Sequence, residues 1–281
     1  MHIVVCIKQV PDSAQIRVHP VTNTIMRQGV PAIINPYDLY ALEAALSLRD
    51  QVGGEVTVLT MGPPMAEDSL RKALTYGADR AVLLTDRFFA GSDTLATSFA
   101  LATAINKIGE TWGAPALVFT GKQTIDGDTA QVGPGIAKRL KLTQLTYVSR
   151  IREVDTKSRT LIVERRAEGG TQVLSTPLPA LITMLDGETS IRRGGMDDAL
   201  RAARAQLVRW SAADAGVQDL TKCGLKGSPT IVKKVYAPTA RAEKAELIGQ
   251  HSPSPAALAE ELLGAIFTRK PELWSDLSSG A

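Results

Sequence analysis

Short, mostly apolar runs alternate with longer segments of helical spacing through the first half of the chain. The runs His2–Ile7, Glu55–Met61, Ala81–Leu84 and Ala116–Thr120 read as strands covered on both faces, as in a parallel sheet. Tyr37–Asp50 carries apolar positions at Leu39, Leu42, Ala45 and Leu46, with Val52 just beyond, and reads as a helix. Pro64–Tyr76, Ser92–Lys107 and Asp128–Leu140 read the same way. Proline opens the second of these helices, where a missing N–H costs little, and Gly77 follows its end. Ser92 or Asp93 is placed to cap the third, and Asp126 and Asp128 to cap the fourth. Strand and helix in strict alternation predict a doubly wound, mostly parallel sheet. Ligands in such sheets sit at the carboxyl ends of the strands. Here those ends are Cys6-Ile7-Lys8, Thr60-Met61-Gly62 and Thr120-Gly121-Lys122.

The pattern changes near Leu145. Thr146–Val154, Thr160–Arg166 and Thr171–Leu174 are β-like runs with no helix between them. Their turns are Asp155–Ser158 and Glu168-Gly169-Gly170, so they read as an antiparallel meander attached to the sheet. Leu181–Leu185 is placed to return to the sheet core. After Asp186 the chain loosens, with a helix over Asp197–Leu207 and a last helix over Pro255–Phe267. The division expected is an α/β domain with its β extension over 1–186, a loop and helix over 187–210, and a C-terminal arm over 211–281.

Composition narrows the function. The chain has 281 residues and 44% hydrophobic residues, enough for a full core. Thirty-two basic and 29 acidic residues leave a net charge of +3, too balanced for a nucleic-acid partner. Two distant cysteines, Cys6 and Cys223, argue for a reducing compartment and against a disulfide framework. The opening MHIVVCIKQV lacks the parts of a signal peptide, and no apolar stretch is long enough to span a bilayer, so a cytoplasmic protein is expected. G-x-G-x-x-G, Walker A, C-x-x-C and H-E-x-x-H are all missing, and no metal site is expected.

The most informative stretch is PALVFTGKQTIDGDTAQVGPGIAKRL, residues 115–140. A strand ends in the loop Gly121-Lys122-Gln123-Thr124-Ile125-Asp126-Gly127, and a helix follows. Unpaired N–H groups and the positive end of the helix dipole make such a junction an anion site, most often for a nucleotide phosphate. On the residues alone, an ordinary βα turn with a good cap is the other reading.

GKQTIDGDTAQVGP resembles the nucleotide loop of the electron-transferring flavoprotein beta subunit. IVVCIKQVPD, NPYDLYALEAAL and MGPPMAEDSLRKALTYGADRAVLL follow the family's order. VERRAEGGTQVLSTPLPALIT resembles its signature segment, with Arg165, Glu168-Gly169-Gly170, Gln172 and Pro179 at the expected spacings. The resemblance is strong over roughly 1–195 and weakens afterwards. It implies a Rossmann-like sheet of the adenine-nucleotide-binding type, with an antiparallel β extension and a C-terminal arm that packs on an alpha subunit holding another FAD. It implies that Thr129, Ala130, Gln131 and Val132 supply backbone N–H groups and a hydroxyl to a phosphate. Asp126 and Asp128 would be caps or ribose acceptors. Cys6, Met61 and the turn Asn35-Pro36-Tyr37-Asp38 would border the nucleotide. A catalytic role for Cys6 finds no histidine partner, since His2, His19 and His251 lie in segments unsuited to a triad.

Asp86–Thr97, DRFFAGSDTLAT, resembles the branch of the family that holds a full FAD in this subunit, with Asp93, Thr94 and Thr97 at a second helix start. That branch implies electron bifurcation. NADH gives a hydride to the beta FAD. One electron then passes through the alpha FAD to an acyl-CoA-dehydrogenase-like or quinone-reducing flavoprotein, and the other to ferredoxin or flavodoxin. The cofactor does the redox chemistry, so binding residues are named and no catalytic side chain. Ile191, Arg192 and Arg193 lie where the family has its partner-recognition loop, with Ile191 as the anchor. The family's lysine-rich run is replaced just after by Gly194-Gly195-Met196-Asp197-Asp198. Two other readings stand beside this one: a one-flavin carrier with structural AMP here, and a stand-alone nucleotide-binding regulator.

Overall fold

A computed structural model describes residues 1–12, 17–18, 25–26, 31–187, 190–233, 247–249 and 254–274. The N-terminal part runs β1 (His2–Cys6), β2 (Gln9–Pro11), β3 (Arg17–Val18), β4 (Ile25–Met26), β5 (Ala32–Ile34), α1 (Pro36–Val52), β6 (Glu55–Met61), α2 (Glu67–Thr75), β7 (Arg80–Leu84), α3 (Thr94–Trp112), β8 (Leu117–Gly121) and α4 (Val132–Leu140). There follow β9 (Thr143–Asp155), β10 (Thr160–Ala167), β11 (Gly170–Pro177), β12 (Ala180–Met184), α5 (Met196–Arg204), β13 (Val208–Trp210) and α6 (Pro255–Arg269). Nine strands form one sheet in the order β11-β10-β9-β12-β8-β1-β6-β7-β13.

The expected parallel sheet is present. β1 pairs in parallel with β6 on one side and with β8 on the other, so the strand order reverses there. This is a topological switch point, where ligands of open α/β sheets bind. The antiparallel meander is also present and is continuous with the sheet, because β9 pairs in parallel with β12 and antiparallel with β10.

Both faces are covered. Ile3, Val5, Leu117, Phe119 and Ile182 pack with Leu42, Leu46 and Leu70 of α1 and α2 on one face. Val4, Leu59, Val82, Val118 and Leu181 pack with Leu101, Ile105, Ile108 and Ile136 of α3 and α4 on the other. Alternate residues of one strand thus serve opposite cores, which is why the strands read as continuous apolar runs.

Several expectations shift. The helix expected over Pro64–Tyr76 opens as a 3-10 turn, Pro64–Ala66, before α2. Asp93 alone caps α3, accepting from the N–H groups of Leu95 and Ala96, while Ser92 Oγ donates to the Phe89 carbonyl. The fourth helix starts at Val132 and not at Asp128, because Asp128 and Ala130 hold φ near +55°, which a right-handed helix cannot include. β13 at the sheet edge was not expected.

The first residues of the segment expected as an arm over 211–281 pack into the sheet's own core. Ala212, Ala215 and Cys223 are buried in the α3 and α4 core, and Ala212 N–H donates to Asp86. A second compact unit covers Ala237–Ala281. Its described part is α6, capped by Ser254, with Phe267 and Trp274 packed edge to face at 4.8 Å. Leu258, Leu262, Leu263 and Ile266 of α6 are exposed. No helix among the described residues is long and apolar enough to cross a membrane.

Candidate nucleotide site at the strand switch

Two buried side chains at the start of α1 tie the carboxyl ends of β1 and β8 together. Asp38 accepts from Lys8 N–H at 2.7 Å and from Gly121 N–H at 3.0 Å. Asn35 donates through Nδ2 to the Gln123 carbonyl at 2.9 Å and accepts from Ile125 N–H at 3.1 Å. Asn35 N–H in turn donates to the Lys8 carbonyl. Pro36 fills the first helical position, where it leaves no donor unpaired. The Asn35-Pro36-Tyr37-Asp38 turn therefore clamps the first half of the loop. Gly121 is required at this contact: a Cβ there would lie 2.5 Å from Asp38 Oδ1 and 2.7 Å from the Tyr37 backbone.

The rest of the loop is held by its own side chains. Lys122 N–H donates to the Met184 carbonyl, and Lys122 Nζ lies 4.5 Å from the centre of the Tyr37 ring. Lys8 Nζ bridges both oxygens of Asp126 at 2.7–2.8 Å. Gln123 donates to Asp128, and Asp128 N–H donates to the Thr124 carbonyl around Gly127. Asp126 and Asp128 are thus loop braces and not helix caps. Burial works to raise the Asp126 carboxyl, but the Lys8 hydrogen bond and charge hold it below its ordinary range.

Past this brace the backbone leaves its donors without partners among the described residues. Ala130 at positive φ precedes Gln131 at φ −100°. The N–H groups of Thr129, Ala130, Gln131 and Val132 meet no acceptor among the described residues. Successive N–H groups without an acceptor at the start of a helix are an arrangement that suits an anion. The residues present fit an adenine nucleotide phosphate. Gly133 and Gly135 let α4 lie close: a Cβ at either would meet Thr120 and Thr183, or Ser98, at 2.8 Å.

The second helix start lies beside the first. Thr94, first residue of α3, donates from Oγ1 to Gln131 Oε1 at 2.8 Å. Thr97 is half-buried one turn on, and its N–H donates to the Asp93 carbonyl. Asp93 is fully engaged by its own chain, because the Thr230 N–H and hydroxyl also donate to it. Burial pushes its carboxyl up, but hydrogen bonds from Ala96, Thr230 and Leu95 bring it below the ordinary value. Cys6 is buried at the end of β1, and Met61 is half-buried at the end of β6. Burial and the nearby Asp38 raise the Cys6 thiol, so it stays protonated and unreactive.

The expected partner loop lies apart from this site. Arg192 grips the buried Glu43 of α1 through its backbone N–H, Nε and Nη2, and reaches Asp50 at 2.8 Å. Gly194 fits against the end of α2, where a Cβ would lie 2.0 Å from the Thr75 carbonyl oxygen. The segment is fastened at both points, with Arg193 exposed between them and Ile191 half-buried just before them. Ser228 and Thr230 were not singled out in the sequence, because no local motif marks them; Lys8 was named there only as part of a strand end.

The Asp38 tie carries a pH dependence. Burial raises its carboxyl from 3.8 to about 7, although hydrogen bonds from Asn35, Lys8 and Gly121 and the Lys8 charge pull the other way. A raised carboxyl contributes stability that is fully present below the unfolded value and is lost as pH rises through the folded one. Wild-type stability relative to Asp38→Asn is expected to fall between about pH 4 and pH 7, by at most about 4 kcal/mol. Urea unfolding of both proteins across that range checks it, and a constant gap between them counts against it.

Comparison with known proteins supplies the family. The family model described as the electron transfer flavoprotein domain matches residues 22–215. Protein FixA of Azorhizobium caulinodans is 74% identical over 279 residues, 99% of this chain and 98% of its own. Protein FixA of Azotobacter vinelandii is 63% identical over 281 residues, covering all of both chains. The electron transfer flavoprotein subunit beta of Clostridium acetobutylicum is 48% identical over 234 residues, 83% of this chain and 87% of its own. With this sheet, this switch-point loop and these relatives, the chain belongs to the electron transfer flavoprotein family and is a beta-subunit-like member of it.

Proposed function

We propose that the chain is the beta subunit of a two-flavin electron transfer flavoprotein and binds the adenine end of FAD at the β1–β8 switch point. One observation carries this reading: the Thr94–Gln131 hydrogen bond sets the start of α3 against the free N–H groups at the start of α4. AMP needs one anion cradle, and FAD carries a second phosphate and a ribityl chain. Thr94 and Thr97 supply hydroxyls for those added groups. The loop N–H groups of 129–132 take the phosphate nearest the adenosine, and Lys122 adds a positive charge at the loop, while Lys8 offsets Asp126. FAD bound there would supply the redox chemistry, accepting a hydride from NADH and parting with electrons singly.

The family places an alpha subunit beside such a chain. In the reading proposed, that subunit holds the other FAD. An acyl-CoA-dehydrogenase-like or quinone-reducing flavoprotein and a ferredoxin or flavodoxin take the electrons. Ile191 and Arg193 face the dehydrogenase from a loop that Arg192 fixes to α1. The unit from Ala237 packs on the alpha subunit through the exposed leucines of α6. The protein works in the cytoplasm.

A second reading has one specific observation in its favour. Asp93 places a carboxylate at the start of α3 and is fully engaged there. A negative charge opposes a further phosphate, as a chain holding only AMP would tolerate. Counting FAD and AMP in the purified heterodimer decides between the two.

A further inference from the structure

We propose that Ser228 and Thr230 are positioning residues for the nucleotide site, setting the Asp93–Thr94 turn from a segment more than 130 residues away. The proposal rests on the reading of Thr94 as a cofactor contact.

Ser228 is buried at 7% exposure. Its Oγ accepts from Asp93 N–H at 2.8 Å and donates to the Gly224 carbonyl at 2.7 Å. Gly224 N–H donates to Ser92 Oγ at 3.1 Å. Thr230 closes the arrangement with two bonds to Asp93 Oδ2, at 3.1 Å from its N–H and 2.8 Å from its hydroxyl. The same carboxylate caps α3 through its other oxygen, Oδ1. Every polar group of the Asp93 residue that could wander is therefore fixed by the 224–230 segment or by α3 itself. Thr94 follows directly, and its hydroxyl reaches Gln131 in the phosphate loop. The turn cannot tilt without breaking a bond to Ser228 or Thr230.

Close packing reinforces these bonds. A Cβ on Gly224 would lie 2.4 Å from the Phe88 carbonyl oxygen, at a φ of +56°. A Cβ on Gly91 would meet Leu225 at 2.7 Å. Cys223 is buried beside them at 2% exposure. The segment is a strap fitted to the α3 entry loop, and Thr94 takes its position from it.

The test uses the chain purified with its alpha subunit. Ser228→Ala and Thr230→Val are each dialysed against cofactor-free buffer, and retained FAD and AMP are counted after acid release. Loss of a hydrogen bond to a charged or buried partner predicts retention at the beta site about tenfold weaker. The alpha flavin should stay at its wild-type count, which a general loss of fold or assembly would not allow. Thr230→Ser restores the hydroxyl and should restore retention. Wild-type retention in both variants overturns the proposal, as does loss of both cofactors together with the thermal midpoint. Thr94→Trp is the control. If Thr94→Trp empties the beta site and the strap variants do not, positioning alone fails. If Thr94→Trp also keeps its nucleotide, the reading of the site fails and the proposal falls with it.

Discussion

Gly121→Ala is expected to cost the chain about 3 kcal/mol and to empty the beta site. The new Cβ would lie 2.5 Å from Asp38 Oδ1 and 2.7 Å from the Tyr37 backbone. The second of these neighbours is main chain at the start of α1 and cannot rotate away. Either β8 moves outward or α1 does. Both movements break the bond from Gly121 N–H to Asp38 and leave a buried donor or acceptor unpaired. Asn35 then loses its grip on Gln123 and Ile125, which holds the first half of the 121–132 loop. Urea unfolding measures the stability, and nucleotide retained after gel filtration measures the site. A variant of wild-type stability that still holds its nucleotide would show that the clamp is dispensable.

Thr94→Trp has the second largest expected effect, and it is selective. The indole would crowd the contact between the starts of α3 and α4 and remove the bond to Gln131. Thr94 lies at the rim, so α3 keeps its Asp93 cap and the fold survives. The beta nucleotide should be lost, the alpha flavin kept, and NADH oxidation lowered about tenfold or more. Absorbance spectra of the heterodimer before and after dialysis, with NADH oxidation assayed alongside, check it. Equal loss of both cofactors would mean that the substitution disturbs assembly and not the site.

Much of this architecture was legible in the sequence, for a physical reason. Strands between two helical layers cannot show polar alternation, so Val4-Val5-Cys6 and Leu117-Val118-Phe119 stand out as short apolar runs. The parallel order and the switch point follow from runs of that kind separated by helices. The loop at 121–132 was legible as a place. Its shape was not, because Asp128 and Ala130 adopt positive φ without being glycine. Local rules assign Asp128 to a cap, while tertiary contacts make it a brace. β13 escaped notice because three residues, Val208-Arg209-Trp210, are too few to show a period. The strap at 223–230 escaped for another reason. Its bonds join residues such as Ser228 and Asp93, 135 apart, and nothing in a Gly- and Ser-containing stretch announces its partner. Arg192 likewise reads as part of a partner-recognition loop until Glu43 is found beneath it.

The measurement that bears most directly on the account is a cofactor count on the purified heterodimer, by acid release and chromatography of FAD and AMP. Two FAD and no AMP are expected for each heterodimer, with one FAD lost from the beta site in Thr94→Trp. One FAD and one AMP would contradict it. That result would leave the switch-point loop as the nucleotide site and remove electron bifurcation from the chain's role.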